Sequence, residues 1–93
     1  MKLFAWAPEK NAHLKRERGI RFEAVLFHLE AGDVLDIFEH PNQDRYPGQR
    51  IYAIEIEIEI EAYVYLVPFV ESETEVFLKA IIPSPKATQR YKR

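Results

Sequence analysis

The stretch "RIYAIEIEIEIEAYVYLVPFV", residues 50 to 70, constrains the fold of this chain more than any other. Ile54, Ile56, Ile58 and Ile60 alternate with Glu55, Glu57, Glu59 and Glu61. Side chains along a β-strand point to opposite faces in turn. Tyr52 and the four isoleucines therefore share one face, expected to be core, and the glutamates share the other, expected to be solvated. Strands usually run about five or six residues, so the stretch should hold two, folded back on each other. No Gly, Asn or Asp lies between Arg50 and Val70; the reversal is expected within 57–62. So uniform a repeat keeps every side chain on its proper face after a two-residue slip, and the sequence specifies the register weakly.

The rest of the chain supplies partners for this sheet. "KLFAW" alternates as a short first strand, Leu3 and Ala5 on one side, Phe4 and Trp6 on the other. Pro8 suits a first helical position, and "PEKNAHLKRERG" reads as an exposed basic helix stopped by Gly19. In "RFEAVLFHLEAG", Phe22, Val25, Leu26 and Leu29 form one stripe of a 3.6-residue period. "DVLDIFEH" is expected to be a short strand and "PNQDRYPGQ" a loop. "AYVYLVPFV" and "EVFLKAII" complete the sheet, Pro83 and Pro85 end it, and the last residues add a helical turn. The order β-α-α-β-β-β-β predicts an α+β class, a helical pair packed on one face of a mostly antiparallel sheet, in a single domain over residues 1–93.

Cysteine is absent, which excludes disulfides and zinc–thiolate sites. The opening lacks the apolar run of a signal peptide and no stretch reads as a membrane span, so the cytoplasm is the expected compartment. The net charge of −2 conceals an uneven distribution. Residues 1–30 carry +2, residues 31–78 carry −9, and residues 79–93, "KAIIPSPKATQRYKR", carry +5. Basic ends brought together would suit a polyanion, although such ends also serve as plain solvated tails. The glutamate ladder is read as structural. Its carboxylates stand about 7 Å apart along one strand, too far to share an ion without a further ligand.

"FAWAPEKNAHLKRERGIRFE", with "YLVPFVE" and "IIPSPKAT", resembles the BrnT-like toxins of bacterial type II toxin–antitoxin pairs, which are related in fold to the RelE ribonucleases. Phe4, Trp6, Lys10, Asn11, Leu14, Arg18, Gly19, Ile20, Phe22 and Glu23 carry the likeness, with the K-A-T of Lys86, Ala87 and Thr88. The resemblance implies a RelE-like fold and an endoribonuclease that cuts messenger RNA without metal or other cofactor. It also implies a cognate DNA-binding antitoxin as partner. Three departures stand out. Ala7 occupies the place of the family's usual acid, losing the N-cap of the first helix. Pro85 replaces an arginine that tends to precede the lysine of K-A-T, and the ladder looks longer than the family's usual strand.

Metal-free RNA cleavage needs a base for the 2′-hydroxyl, cations for the phosphoryl charge and an acid for the leaving 5′-oxygen. Proton-transfer candidates are His13, His28 and Tyr91, the last resembling the C-terminal tyrosine of RelE-like enzymes. Lys79 and Lys86 are the candidates for stabilising phosphoryl charge, and Arg18, Arg50 and Arg90 for holding RNA. Lys79 interrupts the apolar run "VFLKAII" on a face shared with Phe77 and Ile81; it reads equally as an active-site lysine or as one whose stem lies on apolar neighbours. The alternative function is a non-catalytic interaction module of the same fold, favoured by Pro85. Weak register and an open sheet edge also predict association, with an antitoxin or a second copy.

Overall fold

Alternation and amphipathic spacing translate directly into elements in the computed structural model, which describes residues 2–58 and 60–91. In chain order these are β1 (Leu3–Ala5), α1 (Pro8–Arg18), α2 (Phe22–Glu30), β2 (Asp36–Glu39), β3 (Arg50–Ile58), β4 (Glu61–Glu71), β5 (Glu75–Leu78), β6 (Ile82–Pro83) and α3 (Pro85–Tyr91). The strands form one mixed sheet in the order β1-β5-β4-β3-β2, with β6 beside β4 and β1 parallel to β5. The protein is thus an α+β fold with a mixed sheet and, among the described residues, three helices.

β3 and β4 pair antiparallel from Arg50↔Phe69 to Ile58↔Glu61, which puts the reversal inside the expected window. Glu59 lies outside the described residues. Tyr52 and Phe69 stack with ring centroids 4.0 Å apart. Tyr52 is opposite Val67, so this stacking runs diagonally across the strand pair.

α1 and α2 cover the isoleucine face. Leu14, Ile20, Phe22 and Val25 pack with Ile54, Ile56, Val67, Phe69, Val76, Leu78 and Ile81, and Trp6 stacks on Phe22 at 5.6 Å. The helical cover is shorter than the ladder. Ile54 is 0% exposed and Ile56 3%, Ile58 is half-buried, and Ile60 stands 97% exposed. The expectation that Ile60 belongs to the core is therefore corrected: it follows β3 at the hairpin reversal, beyond the helices' reach.

The opposite face also departs from expectation. Glu57 is exposed and Glu55 half-buried, but Ile51, Ala53 and Val64 on that side are buried; Glu61, expected on the glutamate face, instead pairs with Ile58 beyond the reversal and so falls, exposed, on the isoleucine face. α3 lies over β4 there and covers that part of the face.

"EVFLKAII" is not one strand. Phe69 pairs with Leu78 and Tyr65 with Pro83, so four steps along β4 oppose five along its neighbour. The extra residue is a bulge at 79–81. Pro68 explains its position. Lys79 N–H donates to the Pro68 carbonyl at 2.7 Å, and a strand residue's nitrogen points to the same side as its oxygen. Pro68 consequently has no donor to offer where a regular ladder would need one. The bulge shifts the alternation, sending Ile81 into the helix-side core while Lys79 stays exposed. Lys79 and Ile81 do not share a face as the sequence suggested.

The helices start and stop for local reasons. Ala7 gives α1 no side-chain cap, as its identity predicts, while Gly19 closes the helix at φ 69°. Asn11 caps α2 from a distance: its Oδ1 accepts the Phe22 N–H at 2.8 Å, and its Nδ2 donates to Glu23 Oε1 at 2.9 Å. That hydrogen bond holds the Glu23 carboxyl below its ordinary value, with the Glu23 backbone N–H adding to it. Among the described residues, no helix is long and apolar enough to cross a membrane.

Candidate functional site: a groove beneath α3

α3 begins as a sequence reader would hope. Ser84 Oγ accepts the Ala87 N–H at 3.1 Å, making Ser84 the N-cap, and Pro85 follows at the first helical position. Thr88 fastens the helix to the sheet. Its hydroxyl accepts the Val64 N–H at 2.9 Å and donates to the Ser84 carbonyl at 2.7 Å, and Ser84 N–H donates to the Val64 carbonyl at 3.0 Å. Both backbone groups of Val64 are thereby satisfied by the α3 segment. The Thr of K-A-T is an anchor.

Anchored this way, α3 and the sheet enclose a groove of about 530 Å³. Its sheet wall is Phe38, Ala53 and Leu66, and its helix wall is Lys86, Ala87, Arg90 and Tyr91. Lys86 and Arg90 are four residues apart, hence on one side of the helix. Neither has a carboxylate partner among the described residues. Tyr91 Oη donates to Asp36 Oδ2 at 3.0 Å, and Asp36 Oδ1 accepts the Ile37 N–H at 2.8 Å. Partial burial, then the hydrogen bond and charge of Asp36, raise the Tyr91 pKa above its ordinary 10.0, against a small opposing effect of Arg90. The phenol is a proton donor at neutral pH.

Three of the seven site residues expected from sequence, Lys86, Arg90 and Tyr91, therefore meet in one groove. The other four lie elsewhere. His28 belongs to α2, in the layer across the sheet, and its Nδ1 is 2.8 Å from Asp33 Oδ2. Arg50 projects on the helix-covered face, 3.5 Å from Glu71 and over the Phe69 ring at 5.6 Å. Glu71 also accepts from Lys2 at 2.6 Å, and this bond, more than Arg50, lowers its pKa. Lys79 lies on the bulge over the Phe77 ring, Nζ 5.5 Å from its centre, which is the packed-stem arrangement. Arg18 closes α1 and lines a second groove at the hairpin with Ile58, Tyr63 and Tyr65. His13 is exposed on α1.

Sequence reasoning missed Asp36 and Phe38 because β2 reaches the groove only through its pairing with β3, Asp36↔Ala53 and Phe38↔Ile51. Ser84 was legible, since Ser-Pro before a basic turn is a helix-start signal. Among the described residues, no three His, Asp or Glu side chains gather as a metal site.

Fold and groove together define an α+β protein with a cation- and tyrosine-lined cleft between its C-terminal helix and its sheet. No protein-family model, no curated protein and no solved structure matches the chain.

Proposed function

We propose that this chain is a RelE-like, BrnT-like toxin of a type II toxin–antitoxin pair: a cytoplasmic, metal-independent endoribonuclease that cleaves messenger RNA and is neutralised by a cognate antitoxin. The observation that carries this reading is the gathering of Lys86, Arg90 and the Tyr91–Asp36 pair in one groove. Two cations without a carboxylate partner among the described residues, beside a protonated phenol and a carboxylate, are the groups that 2′-hydroxyl attack on phosphorus requires. The resemblance in "FAWAPEKNAHLKRERGIRFE" and "IIPSPKAT" supports the same conclusion independently.

The groups divide the reaction as follows. The 2′-oxygen bonds to phosphorus while its proton passes to Asp36. Lys86 and Arg90 stabilise the extra negative charge on the phosphoryl oxygens. The bond from phosphorus to the 5′-oxygen breaks, and Tyr91 gives that oxygen its proton. The proton held by Asp36 then returns to Tyr91 across their hydrogen bond. The products are a 2′,3′-cyclic phosphate and a 5′-hydroxyl, and neither proton step uses a metal.

One observation favours a second reading, a non-catalytic module of the same fold that binds an antitoxin-like partner. Pro85 stands exposed at the first position of α3, where the resembling family tends to carry an arginine. The groove then holds one cation fewer next to a carboxylate that repels phosphate. The test is RNA cleavage in excess EDTA by the chain as given, by Lys86→Ala and by Pro85→Arg, alongside growth on expression without a partner. The ribonuclease reading expects cyclic-phosphate products lost in Lys86→Ala and increased in Pro85→Arg. Cleavage by none of the three, with normal growth, supports the module. Equal cleavage by all three overturns the groove as the site.

A further inference from the structure

The hairpin end of the sheet carries a second groove, on the helix-side face and so across the sheet from α3, that the proposed chemistry leaves unused. It forms because the ladder outruns the helices. Ile58 is only half-buried at the edge of the core and Ile60 stands 97% exposed, so the cover thins toward the hairpin. Tyr63 and Tyr65 lie on the same face, paired with Ile56 and Ile54. Their rings meet edge to face, centroids 5.8 Å apart and planes at 64°, so they do not cover each other. Arg18, the last residue of α1, lines the same space and has no carboxylate partner among the described residues. The groove holds about 600 Å³, room for a planar base.

We propose that this groove is a stacking site for an unpaired base of a single-stranded nucleic acid. The proposal rests on the ribonuclease reading for the identity of the strand as RNA. Three features select this occupant. Tyrosine faces stack on any base, and exposed aromatic pairs beside arginine are how single strands are held without sequence reading. The last turn of α1 presents Lys15, Arg16 and Arg18, all exposed, against Glu17, which stands 4.0 Å from Arg16; the net positive charge attracts the phosphates on either side of a stacked base. Glu61 lines the opposite rim. A carboxylate there repels phosphate but accepts from a base amino group, so the base enters the groove and the backbone runs along α1. Cytosine, with its exocyclic amine, is favoured over uracil.

The test uses a fluorescent 2′-deoxycytidine hexamer, which binds as a single strand and has no 2′-hydroxyl to be cleaved. Anisotropy measures its affinity for the chain as given, Tyr63→Leu, Arg18→Ala and Glu61→Gln. A hexamer containing one 5-iododeoxyuridine maps the contact by photocrosslinking. The expected results are a crosslink at Tyr63 or Tyr65, unchanged in Lys86→Ala, and an affinity weakened roughly fivefold or more by Tyr63→Leu. Arg18→Ala should also flatten the salt dependence, and Glu61→Gln should narrow the preference for cytosine over thymine. Because Tyr63→Leu could perturb the fold, the crosslink on the unaltered chain decides the matter by itself. A crosslink confined to α3, unchanged affinity in both Tyr63→Leu and Arg18→Ala, or no binding of the hexamer overturns the proposal. Loss of self-association in Tyr63→Leu with hexamer affinity unchanged overturns it in favour of a protein interface. Binding here by a chain that cleaves no RNA leaves the groove standing and removes the ribonuclease reading; cleavage with no hexamer contact does the reverse.

Discussion

Removing the Thr88 hydroxyl should loosen α3 from the sheet, and the structure says by how much. Thr88→Val keeps the shape and deletes two hydrogen bonds. The bond to the Ser84 carbonyl matters little, because that oxygen also accepts the Thr88 N–H at 2.9 Å and stays satisfied. The bond from Val64 N–H is different. Val64 is fully buried, its N–H has Thr88 Oγ1 as partner, and valine offers none. Leaving a buried donor unpaired costs about 1–3 kcal/mol, so Thr88→Val should lose about 2 kcal/mol, or roughly 8–16 °C in Tm for a domain this small. Urea unfolding gives the free energy, and hydrogen exchange of the Val64 amide gives the location. If α3 detaches alone, Val64 protection falls before global stability does. Thr88→Ser keeps the hydroxyl and should retain protection at Val64. A Thr88→Val protein with unchanged stability and unchanged exchange at Val64 would refute the anchoring role. Since Lys86, Arg90 and Tyr91 ride on this helix, RNA cleavage should fall in Thr88→Val although Thr88 lines no part of the groove.

Chemical denaturation should separate the ladder's positions: Ile56→Ala costs about 2–4 kcal/mol as a large-to-small core change, whereas Glu57→Ala and Ile60→Ala each cost under about 0.5. Equal effects at Ile56 and Ile60 would contradict the limit placed on the helical cover. The Glu23 carboxyl is held below its ordinary 4.5 in the folded chain, first by the Asn11 hydrogen bond. Its stabilisation is therefore complete above about pH 4.5 and disappears as pH falls through the lowered folded value. NMR titration should show the Glu23 midpoint rising toward 4.5 in Asn11→Ala, and an unmoved midpoint would exclude that bond as the cause. Spectrophotometric titration of Tyr91 should show its raised midpoint dropping in Asp36→Asn, because the anion beside it is gone while the burial remains. No drop would mean that the Tyr91–Asp36 contact does not persist in solution.

What the sequence determined by itself is the local and the periodic. Alternation from Tyr52 to Ile58 set a strand and its two faces, since the period of two is a property of the backbone alone, and strand length placed the reversal within 57–62. Gly19 at positive φ, Pro8 and Pro85 at first helical positions, and Ser84 before Pro85 set the helix ends through their own stereochemistry. The K-A-T triplet pointed to α3, and Lys86, Arg90 and Tyr91 share the groove because they are close in sequence on one short helix.

Tertiary structure decided everything that depends on how far one element reaches over another. Ile54 and Ile60 are the same residue in the same repeat, yet one is fully buried and the other 97% exposed, because the helical cover stops short of the hairpin. Lys79 lost its expected neighbour Ile81 because Pro68, eleven residues earlier and on another strand, withholds a donor and forces a bulge. Asp36 entered the groove through strand pairing, and His28 and Arg50 fell across the sheet from it. A repeat states which face a side chain takes; only the packed layers state what, if anything, lies against that face.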